Sequence, residues 1–384
     1  MLRVYRYRLH PTAAQEAVLY ATLGLLRELY NAALQERRDA YRKQGIRITK
    51  KMQDHQLKEL RDVRPEFDRI HAHLLQDAIT RLDRAFRAFF RRVKAGEKAG
   101  YPRFKGRDRY NTFTFKDAAS RNGVRFVAGG RRLYVHGVGN VRIRMHRPMQ
   151  GTLKQVSITL SGGHWYACMV CDDVPLQPLP TTGASTGIDV GITTFATLSS
   201  GEEVHSPRPY RAAQAKLAKL QRVVSRRKKR SARRRKAVRV LGKQHARVAR
   251  IRQNFHHETA KGLVERFDSI AVEDLNVRGL AGGMLAKHVH DAGWAQFTTI
   301  LAGKAECAGR ELIKVDPRGT SQECVCGATV RKTLRERTHD CPACGLVLGR
   351  DHCSAMVIKG RGRRLRGGLS NGRPEEPRIP LLAH

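Results

Sequence analysis

Three acidic residues stand out by position. Asp189 lies in Gly187-Ile188-Asp189-Val190-Gly191, on an apolar segment that would ordinarily exclude charge. Glu273 ends the apolar run Ile270-Ala271-Val272, and Asp351 stands just before a predicted helix. A carboxylate on a core strand is costly unless it is neutralised. Divalent cations neutralise it, and Mg²⁺ favours one or two carboxylates with phosphate oxygens and water. Two such ions about 3.5–4 Å apart activate a water and stabilise the leaving oxygen in phosphodiester cleavage. No nucleophilic side chain is then required. Alone, the aspartate of this glycine-flanked segment also reads as a strand-end or turn residue. An aspartate on a first strand, an acid on a later strand and an aspartate on a final helix together describe an RNase H-like fold.

Two thiol pairs form the second constellation. Cys324 and Cys326 are separated by 14 residues from Cys341 and Cys344. This arrangement is close to a four-cysteine zinc ribbon, whose pairs are usually spaced C-x₂-C. The second pair fits. The first is one residue short, although residues i and i+2 of an extended segment face the same side. His339 or Cys353 could substitute as ligands, and a metal-free ribbon is the alternative. Cys168 and Cys171 lie in a predicted strand without a second pair and read as core thiols. Cys307, on a predicted helix, reads as packing.

The charge balance says what such a chemistry would act on. The chain has 384 residues, 74 Lys and Arg against 34 Asp and Glu, and a formal net charge of +40. Self-repulsion on that scale calls for an extended anionic partner, and nucleic acid is the first reading. From Val204 to His257 there is no acidic residue, and 19 residues are Lys or Arg. Apolar residues at helical spacing flank the centre of this run, which predicts two helical arms joined by a basic crossing. A solvated face is the plain reading of a charge run. A single sign over this length favours phosphate contacts through Arg226, Arg227, Lys228, Lys229, Arg230, Arg233, Arg234 and Arg235.

A membrane partner fits poorly, because the apolar stretch Ala17–Leu26 is far short of the roughly 20 residues of a span. The N-terminal segment has charges throughout and no signal-peptide core. An intracellular, reducing compartment is expected, which again favours metal over disulfides for the clustered cysteines.

The elements that must position these residues can be read in order. Tyr5, Tyr7 and Leu9 alternate with Val4, Arg6 and Arg8, which predicts a half-buried strand. Thr12 with Gln15 forms a capping-box pattern opening a helix. Further helices are predicted over Arg47–Arg61 and Leu74–Val93, the latter with Leu75, Ile79, Leu82, Phe86 and Phe90 on one core-facing stripe. Short strands then follow at Thr112–Phe115, Val124–Val127, Arg132–Val135, Val141–Met145, Val156–Leu160 and Trp165–Val170, the pattern of a small barrel or sandwich. A linker spans Asp173–Gly183. Strands at Ser185–Val190, Thr194–Leu198, Ser269–Glu273 and Glu311–Val315 and a helix at Gly293–Cys307 complete the second half. The Gly- and Arg-rich segment after Ile358 reads as a disordered tail.

With these residues in hand, the chain resembles the TnpB (OrfB-type) family of transposon-encoded, RNA-guided DNA endonucleases. The resemblance runs from about Tyr5 to Ile358. It rests on Tyr7–Gln15 with Tyr30 and Asn31, Tyr101–Lys105 with Phe113–Phe115, Gly187–Gly191, Glu273–Gly279, Asp291–Trp294, Thr320–Gln322 and Arg350-Asp351. The resemblance implies an α+β multidomain protein. A β-barrel wedge domain would span 1–10 and 96–180, and a helical recognition lobe 11–95. An RNase H-like (RuvC) nuclease domain would span 183–316 and 346–360, with a zinc-ribbon insertion at 317–345 and a disordered basic tail at 361–384. Asp189, Glu273 and Asp351 match the family's Mg²⁺ (or Mn²⁺) ligands, and Cys324, Cys326, Cys341 and Cys344 its zinc ligands. The implied partners are a guide RNA from the transposon end and double-stranded target DNA beside a short adjacent motif, in a cytoplasmic, nucleoid-associated prokaryotic setting; the oligomeric state is left open. Gln76 is a candidate reader of that motif, because glutamine can pair with a base edge; a solvated surface glutamine is the plainer reading. Beside the short first thiol pair, Gly349, Cys353 and Val357 depart from the family's usual Asp, Asn and Asn. Two rivals to the nuclease follow from the same residues: a nuclease-impaired, RNA-guided repressor and a transposase that transfers strands.

Overall fold

The computed structural model describes residues 1–127, 129–333 and 335–367, apart from the side chain of Arg278. The chain divides into two compact units, Met1–Pro175 and Leu176–His384.

The first unit opens with β1 (Arg3–His10), whose Tyr5, Tyr7 and Leu9 are buried while Val4, Arg6 and Arg8 are exposed. The predicted alternation is therefore the real one. Helix α1 (Ala13–Gln44) starts at Thr12 with the expected capping box: the Gln15 amide donates to Thr12 Oγ1, and the Thr12 amide donates to Gln15 Oε1. Helices α2 (Lys50–Val63) and α3 (Ala72–Lys94) follow. Only the first half of the expected α3 stripe is core. Leu75, Ile79 and Leu82 are buried, Phe86 is half-buried, and Phe90 is 51% exposed. Phe86 still packs against the hydrophobic cluster, but beyond it the helix outruns that cluster, and Phe86, Phe89, Phe90 and Tyr101 gather against one another.

Strands β2 (Thr112–Phe115), β3 (Val124–Phe126), β4 (Arg132–Val135), β5 (Gly139–Arg144), β6 (Thr152–Ser161) and β7 (His164–Asp172) join β1 in one antiparallel sheet, ordered β2-β6-β7-β1-β5-β4-β3. Its two edges approach each other. Gly123, just before β3, has φ +87°, and a Cβ there would lie 2.8 Å from the Phe115 ring on β2. The sheet is thus nearly closed, and no L side chain fits at that seam. Asn31 of α1 holds the Tyr101–Lys105 segment by two bonds, donating to the Lys105 carbonyl (3.0 Å) and accepting from the Lys105 amide (2.8 Å).

The second unit is built on β8 (Ser185–Val190), β9 (Ala196–Leu198) and β10 (Glu203–Val204), then a helical pair, α4 (Pro209–Ser225) and α5 (Ala232–Arg266). Strand β11 (Ser269–Glu273), helices α6 (Val277–Leu280), α7 (Ala286–Ala292) and α8 (Trp294–Cys307) and strand β12 (Glu311–Val315) come next. A hairpin of β13 (Thr338–Asp340) and β14 (Val347–Gly349) leads into α9 (Arg350–Gly367). The sheet order is β10-β9-β8-β11-β12, with β8, β9 and β10 antiparallel and β8, β11 and β12 parallel. Strand alternation splits its faces. Ile270 and Val272 join the cluster with α5 and α8, while Ala271 packs with Ile358 of α9.

Glycine lets α9 lie directly on the sheet. A Cβ on Gly187 would overlap the Ala355 carbonyl and the Lys359 amide, and one on Gly362 would lie 2.6 Å from the Ala271 Cβ. Residues 361–367, expected as the start of a disordered tail, are the last turns of this helix. They stay helical because Gly362 packs on β11. The rest of the expected tail, 368–384, lies outside the described residues. Among the described residues, no helix is long and apolar enough to cross a membrane.

Candidate metal centres and basic surface

Asp189 is the fifth residue of β8, Glu273 the last of the adjacent parallel strand β11, and Asp351 the second of α9, which packs on both strands. Asp189 feels the other two carboxyl groups. Burial pushes Asp189 up to about 7, with further upward pushes from Glu273 and Asp351 and an opposing pull from Arg350. Burial also raises Glu273, against the pull of the Thr320 hydroxyl and the Arg361 guanidinium. Like charges gathered in a partly desolvated place disfavour joint ionisation. The cluster is therefore short of positive charge, and its hard oxygen donors fit Mg²⁺ or Mn²⁺. The oxygens are not drawn tightly together: among the described residues, the two groups of His, Cys, Asp or Glu with ligand atoms within 4.8 Å of one another are both centred on Cys324 and contain no carboxylate.

Neighbours orient these acids. The Thr320 hydroxyl donates to Glu273 Oε1 at 2.5 Å, and Arg350 Nε donates to Asp351 Oδ1 at 3.2 Å. Arg361 donates to the carbonyls of Asp316 and Arg318 at 2.7 and 2.8 Å and pairs with Glu323, tying α9 to the segment that bears Thr320. Sequence reasoning misses the positioning roles of Thr320, Arg350 and Arg361. Thr320 and Arg350 stand in blocks that carry the resemblance, but nothing in their spacing discloses a partner. Beside Glu273 opens a cleft of about 370 Å³ lined by Asn276, Trp294, Thr298 and Lys314.

Cys324, Cys326, Cys341 and Cys344 come together. Cys324 and Cys344 sulfurs are 3.7 Å apart, and those of Cys326 and Cys341 are 3.8 Å apart. A tetrahedron of sulfurs about 2.3 Å from a central zinc has edges of roughly 3.8 Å. The donor set thus fits zinc. The short first pair reaches it through a turn and not, as expected, through an extended segment: the Gly327 amide donates to the Cys324 carbonyl at 2.9 Å, with φ +91° at Gly327. Burial pushes the Cys341 thiol up, but the backbone amides of Cys344 and Ala343 and the neighbouring thiols outweigh it and bring it down to about 7. Of the cysteines read as packing, Cys171 is buried, and Cys168 and Cys307 are half-buried.

The expected basic crossing joins α4 to α5. Arg226, Arg227, Lys228, Lys229, Arg230, Arg233 and Arg235 are exposed, and Arg234 is half-buried. Ser231 caps α5 by accepting from the Arg234 amide at 3.2 Å. At the other end of α4, Asp291 accepts from the Tyr210 and Arg211 amides at 2.9 and 3.2 Å. A carboxylate at a helix N-terminus is stabilising, which gives this residue a structural role. Gln76 is exposed on α3, in the first unit, and its side chain faces solvent.

Three family models match the chain: one described as "Probable transposase" over residues 166–283, one described as "Cas12f1-like, TNB domain" over 294–358, and a "Helix-turn-helix domain" over 1–45. A Streptomyces pristinaespiralis protein named "Putative RNA-guided DNA endonuclease" is 34% identical over 375 residues, covering 94% of this chain and 89% of its own. An Escherichia coli K12 protein named "Putative RNA-guided DNA endonuclease InsQ" is 27% identical, covering 86% of this chain and 85% of its own. Among solved structures, the mini-RNA-guided endonuclease CRISPR-Cas_phi3 aligns with a TM-score of 0.46 at 8% identity, covering 94% of this chain and 92% of its own.

Proposed function

The chain belongs to the TnpB (OrfB-type) family, and from that premise we propose that it is an RNA-guided DNA endonuclease with a metal-dependent RuvC-like site. The supporting observation is the placement of Asp189 on β8, Glu273 at the end of the adjacent β11 and Asp351 in the first turn of α9, which packs on both strands, near enough for Glu273 and Asp351 to act on Asp189. The sheet order, with an antiparallel hairpin set beside two parallel strands, agrees with an RNase H-like domain.

In this reading Asp189, Glu273 and Asp351 hold Mg²⁺ or Mn²⁺. The bound ion supplies Lewis acidity at the scissile phosphate and lowers the pKa of a coordinated water. The protein's part is orientation. Thr320 fixes one Glu273 oxygen, Arg350 fixes one Asp351 oxygen, and the glycine contacts of α9 set the spacing of Asp351 from Asp189. The cysteine ribbon holds a structural zinc, closed to catalysis. The basic α4–α5 crossing contacts the phosphates of a guide RNA from the transposon end or of the target DNA. Base pairing supplies sequence specificity, and Gln76 on the helical lobe reads the short adjacent motif. The nearly closed sheet acts as the wedge, and the protein works in the cytoplasm on nucleoid DNA.

The test is to co-express the chain with its flanking DNA, purify the complex, and offer a plasmid library with a guide-matched target beside randomised bases. Mg²⁺-dependent cutting beside one enriched motif, abolished by Asp189→Ala and by EDTA, supports the reading. Retained target binding without cutting would instead make the chain a repressor. Strand-transfer products would favour transposition, which the description of one matching family model suggests.

A further inference from the structure

The ribbon carries one more soft-donor group than a single zinc uses. Cys324, His339 and Cys353 present three ligand atoms within 4.8 Å of one another, and all three residues are buried. Cys324 is shared with the four-cysteine group, whereas His339 and Cys353 are outside it. The surroundings leave the His339 ring poorly satisfied, while the Cys353 thiol lies against Cys324 and the Val325 backbone. His339 is fully buried on β13, its Nδ1 lies against the Lys332 amine, and its Nε2 has no hydrogen-bond partner. The Cys353 thiol donates to a distant carbonyl, that of Glu323, at 3.8 Å. A buried ring nitrogen without a partner is costly. Two thiols and an imidazole shielded from solvent are the donor set that thiophilic divalent ions select.

We propose that Cys324, His339 and Cys353 bind a second zinc-like ion, with the Cys324 thiolate bridging it to the ion of the four-cysteine site. A thiolate sulfur has lone pairs for two metals, and Cys324 is the residue both groups contain. Cys353 stands two residues after Asp351 on α9, so the second ion pins the ribbon to the helix that bears that acid. The proposal does not rest on the nuclease reading, because metal content is counted without a substrate.

The experiment measures zinc per chain in the purified full-length protein, followed by stepwise loading of the metal-free protein with Co²⁺ read by its sulfur-to-cobalt absorption. Two zinc ions per wild-type chain, falling to one in Cys353→Ser and in His339→Asn, are expected, with a second cobalt step seen only in the wild type. One ion or none per wild-type chain overturns the proposal, as do two ions that persist in both variants. Should a variant misfold, the second sulfur-to-cobalt step of the wild type decides, because an ion held by the carboxylates of Asp189, Glu273 and Asp351 gives no such absorption; its absence overturns the proposal.

Discussion

Gly187 on β8 faces the carbonyl oxygen of Ala355 on α9 so closely that no Cβ fits between them. Neither neighbour can yield, since one is strand backbone and the other helix backbone. Replacing Gly187 by Ala must push α9 off the sheet. Overpacking of this kind costs about 1–3 kcal/mol. Gly187→Ala is expected to lower the melting temperature and to abolish Mg²⁺-dependent cutting, because Asp351 moves with α9. Cutting at the wild-type rate by a fully folded Gly187→Ala protein would show that the spacing is not needed.

Thr320 is the hydroxyl that orients Glu273. A hydrogen bond to a charged group is worth about 1.5–3 kcal/mol. Thr320→Val keeps the shape and removes the donor. Single-turnover cleavage should slow roughly tenfold or more, and Thr320→Ser should recover most of the rate. Equal rates in all three proteins would remove Thr320 from the positioning set.

His256 is fully buried between Phe195 and Phe297, and Nε2 meets the Ala292 carbonyl at 2.9 Å. Burial lowers its pKa from 6.5, Arg252 and His257 add to that, and the Ala292 bond opposes it. Below about pH 6.5 the unfolded chain binds the proton more readily than the folded one, so stability is lost as pH falls. Urea unfolding between pH 7.5 and 5 should show that loss, and His256→Gln should flatten it over the same range. An unchanged slope in the variant would assign the effect to other groups.

The α4–α5 crossing gives a salt signature. Replacing Arg226, Arg227, Lys228, Lys229 and Arg230 by Gln should weaken RNA binding without regard to sequence. The slope of log affinity against log salt should fall by about 0.7–0.9 for each phosphate that is no longer neutralised. Melting temperature should hardly change, because these side chains are exposed. An unaltered slope would make the crossing a solvated surface.

Strand and helix positions are legible wherever burial has a period. The alternation of β1, the capping box at Thr12 and the apolar strands around Asp189 and Glu273 all carry local signals. The ribbon cysteines announce themselves by spacing. What cannot be read depends on contacts distant in sequence. Thr320 meets Glu273 across 47 residues, and Gly187 meets Ala355 across more than three times as many. Phe90 misleads because periodicity marks a face but not where the core beneath it ends. The turn at Cys324–Gly327 escapes because a shortened pair says nothing of backbone hand.

The place of β1 in its sheet also sets an order of events during synthesis. Residues 3–10 leave the ribosome well before their partners, since they pair with β5 at 142–144 and with β7 at 165–171. At roughly 5–20 residues per second, this strand waits on the order of ten seconds for its partners. Meanwhile α1, α2 and α3 are complete and can pack on one another. The nascent chain therefore carries an unpaired strand bearing Tyr5, Tyr7 and Leu9, with Arg6 and Arg8 between them. Interleaved charge keeps such an edge from pairing with neighbouring chains, so those arginines guard the first unit before it exists.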